Sequence, residues 1–169
     1  MFNFNELKED LDFDNIKNED NAFVQELFNK LFEKVVNFQE ITEQEKKLFW
    51  QNIDSGSVYK YKVKDKDELK RIIGARLHPI VRALPPSTEY SIDGTYEVSR
   101  IEMNLNWLDV SNITDMSNVF VYNENWYGQF IIVSDWDVSH VTNMSGMFLK
   151  ITNFNSDISK WDVSNVTNM

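Results

Sequence analysis

Three aspartates recur inside one phrase: Asp109 in LDVSNITDMSNVF (108–120), Asp137 in WDVSHVTNMSGMF (136–148) and Asp162 in WDVSNVTNM (161–169). A ladder of carboxylates could hold a hard cation such as calcium, which takes roughly six to eight oxygen ligands. One carboxylate per phrase falls short of that number. Asp-Val-Ser is instead a run whose short polar side chains bond nearby backbone groups in a turn. Turn capping is therefore the expected role, and no metal or other cofactor is expected. His78 and His140 are the only histidines. His140 fills the slot held by Asn112 and Asn165 in the other phrases, so it reads as a repeat substitution rather than a general base. With no cysteine, the chain has no thiol nucleophile, disulfide or Cys-based metal site. Nucleophile elbows, phosphate loops and HExxH patterns are absent, and five glycines leave little for a phosphate cradle. Enzymatic activity is not expected.

The composition supports a folded chain. It has 169 residues, is 42% hydrophobic, and contains five Trp, twelve Phe and six Tyr, enough for one domain or two small ones. The net charge of −10 is uneven: residues 1–54 carry thirteen acids against six bases, and 101–169 carry eight against two. Residues 55–100 carry nine bases against six acids. Direct nucleic-acid binding is not expected, because phosphate recognition needs a basic footprint. The partner expected is another protein. The start, MFNFNELKEDLDFD, is no signal peptide, and no stretch is long and apolar enough to span a membrane. A cytoplasmic location is expected of the chain as it stands, and a cell-surface one if it is a piece of a longer chain.

The elements that must position these phrases begin with helices. Phe23, Leu27, Leu31 and Val35 lie four apart, with Val24, Phe28, Phe32 and Val36 on the neighbouring stripe, predicting a helix over 19–38 capped by Asn18 or Asp20. Thr42-x-x-Glu45 is a capping box opening EQEKKLFWQNI, and Gly56 ends that run. VYKYKV (58–63) alternates as a strand, and Asp65-x-x-Glu68 opens a further helix, ELKRIIGARL, which Pro79 kinks or ends. Lys60, Lys62, Lys64, Lys66, Lys70, Arg71, Arg76 and Arg82 form a basic segment that reads as a solvated or internally paired face. Pro85-Pro86-Ser87 and Asp93-Gly94 mark turns.

The phrases are spaced by 28 and 25 residues, a period at which stacked units share a core. Met103 and Leu105, then Ile131 and Val133, then Ser156 and Ile158, point inward from short strands, and Leu108, Trp136 and Trp161 take the next inward slot. Val141, Met144, Met147 and Phe148, like Ile113, Met116, Val119 and Phe120, are spaced as one side of a short helix.

VSNVTNMSGMF-type phrases preceded by Trp-Asp, together with the stretch Phe154 to Trp161, resemble the repeat of BspA-type bacterial leucine-rich-repeat surface proteins. YKVKDKDELKRII resembles the lead-in to such repeats, so the resemblance covers about 60–169. It implies a short leucine-rich-repeat-like solenoid of two and a half repeats, 95–169; with the helical N-terminal region and its one short strand read from the patterns above, 1–84, the expected class is α+β. It also implies recognition of another protein.

Contact candidates are residues that break the pattern on outward positions. Trp107 takes the slot of Asp135 and Lys160, Ile132 that of Asn104 and Asp157, and the segment 121–129 adds Tyr122, Trp126 and Tyr127. Trp107, Tyr122, Trp126, Tyr127, Ile132 and Asp135 are therefore the expected protein-binding residues. An apolar edge beyond the third phrase offers a route to an end-to-end homodimer. A second reading, from another class, is an acidic inhibitor of a nucleic-acid enzyme, of the anti-CRISPR or nuclease-immunity type, with Glu26 and Glu33 on its acidic face.

Overall fold

The computed structural model describes residues 21–74, 101–120, 129–151 and 154–169. The chain divides into two compact units, Met1–Tyr61 and Lys62–Met169.

The first unit is built on α1 (Asn21–Val36) and α2 (Glu43–Asp54). Both predicted stripes of α1 are buried from Val24 to Val36, and only Phe23 is half-exposed. Fully burying a Leu or Phe contributes about 1.5–3 kcal/mol, so this face dominates the unit's stability. The caps expected at Asn18 and Asp20 lie outside the described residues. The helix ends where Phe38 turns left-handed, at φ 56°, and the Gln39 N–H reaches the Lys34 carbonyl at 2.9 Å. The Thr42 capping box is complete: the Glu45 N–H donates to Thr42 Oγ1 at 3.1 Å, and the Thr42 N–H to Glu45 Oε2 at 2.8 Å. The other Glu45 oxygen accepts from Lys34 Nζ at 2.7 Å, which ties α2 to α1 through a carboxylate that is itself buried.

After α2 the chain turns at Gly56, whose φ of 87° suits a residue without a side chain. Tyr59 is then held by the Asn52 side chain: Asn52 Nδ2 donates to the Tyr59 carbonyl at 2.8 Å, and the Tyr59 N–H donates to Asn52 Oδ1 at 2.9 Å. The Tyr59 ring stacks on Phe28 with centroids 4.6 Å apart. The strand expected over 58–63 accordingly contracts to β1 (Tyr61–Lys62), because a side-chain amide takes the Tyr59 backbone groups that a ladder would use.

The second unit opens as β1 pairs with β3 (Leu108–Asp109), and the Val63 N–H donates to the Asp109 carbonyl at 2.9 Å. Helix α3 (Lys66–Gly74) buries Leu69, Ile72 and Ile73. Its Asp65 cap accepts from the Glu68 N–H at 2.8 Å, while Glu68 Oε2 reaches back to the Lys64 N–H at 2.7 Å. The continuation toward Pro79, Arg76 and Arg82, and both predicted turns, lie outside the described residues. Strands β2 (Ile101–Asn104) and β4 (Gln129–Ile132) form a parallel pair in the register Ile101 to Gln129.

Helices combined with short strands are compatible with an α+β class, but the solenoid expectation is corrected. Among the described residues there are three helices and two sheets of only two strands each, with no leucine-rich-repeat-like solenoid. A strand of two to four residues ends in tight turns, and among the described residues strand-type pairing between the phrases beyond β2 and β4 is limited to isolated parallel bridges, Asp115 to Asn143 and Asn143 to Asn168. The short helix expected after each Asp-Val-Ser is also corrected. Residues 117–120 and 145–150 are successive turns, with Asn118, Gly146 and Lys150 left-handed at φ 54°, 63° and 62°. Such turns bring i, i+3, i+6 and i+7 to one side as a helix would, so spacing alone does not separate them.

Gly146 carries the sharpest requirement. A Cβ there would meet the Asn118 side-chain oxygen at 2.5 Å, and left-handed backbone costs a non-glycine residue about 1–2 kcal/mol. Gly146→Ala is expected to lower the stability of the second unit by about 2 kcal/mol in urea unfolding. An unchanged midpoint would contradict this turn geometry.

Candidate functional site

Each phrase receives the next through one repeated set of bonds. The Trp136 indole N–H donates to the Leu105 carbonyl at 2.9 Å, and the Trp161 indole to the Val133 carbonyl at 3.1 Å. The Thr142 N–H donates to the Thr114 carbonyl and the Thr167 N–H to the Thr142 carbonyl, both at 2.8 Å. In the reverse direction, the Met116 N–H reaches the Asn143 carbonyl at 2.8 Å and the Met144 N–H the Asn168 carbonyl at 2.7 Å. Aromatic rings continue the stack inside: Phe120 to Phe148 at 5.4 Å, and Phe148 to Trp161 at 6.3 Å.

Exposure along equivalent positions marks where this stack faces outward. Val110 and Val138 are 1% exposed, whereas Val163 is 40% exposed. Met116 and Met144 are 0% and 6% exposed, whereas Met169 is 79% exposed. Ile158 is exposed where Leu105 and Val133 are buried.

Residues 91–169 match the family model described as Mycoplasma protein of unknown function, DUF285. The similarity is therefore to a bacterial family, and it takes in all three phrases. No curated protein and no solved structure matches the chain.

Inside the DUF285-like segment the aspartates do local work. Asp109, Asp137 and Asp162 each accept, through Oδ1, the N–H of the serine two residues on, at 3.0 Å in every phrase. Among the described residues no cluster of three or more His, Cys, Asp or Glu could hold a metal ion. Asp137, Ser139 and His140 have the composition of a hydrolytic triad but the wrong order. The Ser139 hydroxyl donates to Asp137 at 2.7 Å and lies 3.2 Å from His140 Nδ1, so serine sits between acid and imidazole. A working relay needs the imidazole in the middle. Lys66 Nζ lies 2.7 Å from the Ser117 hydroxyl and 3.0 Å from Asp115 Oδ2, fastening α3 to the first phrase.

Hydrogen bonds from Ser117, with a smaller contribution from Lys66, hold the Asp115 carboxyl at about 2. Asp137 and Asp162 are lowered chiefly by the hydroxyls of Ser139 and Ser164, and Asp157 by the Ser159 N–H. These groups are lower in the folded chain than the ordinary aspartate value of about 3.9. Their stabilisation is therefore full above that value and is lost as pH falls through the folded values. In urea unfolding from pH 6 downward, the second unit is expected to weaken from about pH 4, with Asp115 contributing down to about pH 2. Asp115→Asn should flatten the lowest part of that acid limb. A midpoint that did not move with acid would refute these turn bonds.

The residues nominated from sequence fare differently. Trp107, expected to face solvent, is fully buried, because Asn106 and Trp107 form a turn in which the Leu108 N–H bonds the Leu105 carbonyl at 3.0 Å. Strand alternation stops there, and the ring turns inward. Ile132 is half-buried, with its carbonyl accepting from the Leu105 N–H at 2.9 Å. Asp135 is exposed, and its N–H donates to Asn106 Oδ1 at 3.0 Å. Tyr122, Trp126 and Tyr127 lie outside the described residues. In the first unit, Glu26 and Glu33 are both exposed on α1. Glu26 pairs with Lys30 at 2.8 Å, a hydrogen bond that also lowers its pKa. Ile158, expected to point inward in the third phrase, is exposed.

Proposed function

We propose that the second unit is a non-catalytic protein-recognition module of the BspA-type bacterial surface-repeat kind, with exposed outward residues such as Asp135 on its contact surface. The observation that carries this reading is the repeated set of bonds by which each phrase receives the next, from the Trp136 and Trp161 indoles to the Thr142 and Thr167 N–H groups. Phrases fixed to one another by such bonds hold their outward side chains in place, which lowers the cost of ordering on binding. The similarity of residues 91–169 to a bacterial family adds support for the bacterial setting. The acidic-inhibitor reading is less favoured, since the Glu26 carboxylate is already matched by Lys30.

The test is affinity capture from bacterial lysate and envelope fractions, with the wild-type chain and Asp135→Lys as baits at low and moderate salt. A partner retained by the wild type through the salt step and lost on Asp135→Lys is the expected result. A nucleic-acid-handling protein that is released by salt, ignores Asp135→Lys and is lost on Glu33→Lys would replace this reading with the inhibitor.

A further inference from the structure

We infer that residues 62–74 are a guard over the first phrase, held shut by the Lys66–Asp115 ion pair, and that opening it lets that edge pair with a second copy of the chain. The inference stands apart from the recognition reading and concerns what keeps the first phrase from self-association.

The bonds that join one phrase to the next recur between the guard and the first phrase. Asn112 Nδ2 donates to the Lys64 carbonyl at 3.0 Å, as Asn165 Nδ2 does to the Ser139 carbonyl at 2.7 Å. The Val63 N–H donates forward to the Asp109 carbonyl at 2.9 Å, as the Met116 N–H donates forward to the Asn143 carbonyl at 2.8 Å. Residues 62–66 thus take the place of a preceding phrase, although KVKDK is no copy of one. Helix α3 anchors them, since its Leu69, Ile72 and Ile73 are buried.

Charge distinguishes this contact from the others. Asp115 Oδ1 accepts the Ser117 N–H at 2.8 Å and Asn143 Oδ1 accepts the Ser145 N–H at 3.0 Å, so the turn forms with either side chain. The turn therefore does not call for a carboxylate. Asp115 nevertheless stands where the other phrases have Asn143 and Asn168, and only there does a lysine meet it. Lys66 Nζ lies 3.0 Å from Asp115 Oδ2 and 2.7 Å from the Ser117 hydroxyl.

Strand edges pair with whatever strand is presented to them, and folded chains cover them with a loop or helix and with charge. The guard does both. Beyond covering β3, it turns Lys62, Lys64 and Asp65 outward as exposed charges. With the guard open, the Asp109 carbonyl and the Asn112 amide lose their partners together. A donor and an acceptor on one edge are self-complementary, so a second copy answers both through the same edge, as two-fold pairing requires.

The experiment is sedimentation equilibrium of the full chain at several concentrations. Lys66→Glu sets two carboxylates against each other and is expected to tighten self-association about tenfold or more over the wild type. Lys66→Glu combined with Asp115→Lys restores the attraction with its signs exchanged and should sediment as the wild type does. Adding Asn112→Ala to Lys66→Glu should weaken the association again. A folded Lys66→Glu that sediments as the wild type does would overturn the inference. So would a charge-exchanged variant that associates as strongly as Lys66→Glu, or association indifferent to Asn112→Ala. If circular dichroism shows Lys66→Glu unfolded, Lys66→Met, which keeps the stem and removes the charge, replaces it: association above the wild type supports the guard, and none overturns it.

Discussion

Trp136→Ala is expected to cost the second unit about 4–5 kcal/mol, a large share of the roughly 5–15 kcal/mol that holds a domain folded. The ring is buried between the first and second phrases and stacks on Phe120 with centroids 5.7 Å apart. Truncating a buried aromatic to alanine costs about 3–5 kcal/mol through lost transfer energy and the cavity left behind. The indole N–H also bonds the Leu105 carbonyl at 2.9 Å in a buried setting, and losing that bond adds about 1 kcal/mol. Trp136→Phe separates the two contributions, because it keeps most of the stacking and removes the donor; about 1–2 kcal/mol is expected for it. Urea unfolding followed by circular dichroism reads both variants. A Trp136→Ala loss below about 1 kcal/mol would mean that the phrases do not depend on this ring for their contact.

In the first unit the largest polar effect is expected at Asn52. Its fully buried amide both donates to and accepts from the Tyr59 backbone, closing the turn after α2. Asn52→Ala strands two buried backbone groups, each costing about 1–3 kcal/mol, so a loss of about 3 kcal/mol is expected. Asn52→Asp discriminates further: its carboxylate still accepts from the Tyr59 N–H but faces the Tyr59 carbonyl with no donor while ionised. Its deficit should therefore shrink as pH falls and the acid gains a proton. Thermal unfolding of both variants at pH 7 and pH 4 makes the comparison. Equal stability of wild type and Asn52→Ala would show that the amide is dispensable.

Much of the helical part was legible because its causes are local. The twin stripes of α1 and the Thr42-Glu45 box involve residues three or four apart, and both formed as read. The Asp-x-Ser turns are local in the same way, and each aspartate caps its own serine. What misled was period. Alternation was extended through Trp107, although a turn at Asn106–Trp107 swings the ring inward. Spacings of three and four around Met144 were read as a helix, although left-handed residues such as Asn118 and Gly146 build the same pattern from turns. The solenoid expectation failed too, since the described strands form only two sheets of two strands each. Asn52 could not have been singled out, because nothing in QNID distinguishes a surface amide from one that holds a backbone several residues away.

The unequal spacing of the phrases has a practical consequence. From Phe120 to Gln129 eight residues intervene, and from Phe148 to Phe154 only five, which accounts for the whole difference between offsets of 28 and 25. The bridges from Asp115 to Asn143 and from Asn143 to Asn168 nevertheless fall at the same place in each phrase. Pitch is therefore set by the Asp-to-Met stretch, and a difference in length ahead of the next phrase leaves the bridges in step. Loop closure entropy grows only slowly with length, so an insertion between phrases is thermodynamically mild. A reporter sequence or a foreign epitope spliced there would leave the paired phrases in step, making that position a grafting point for display.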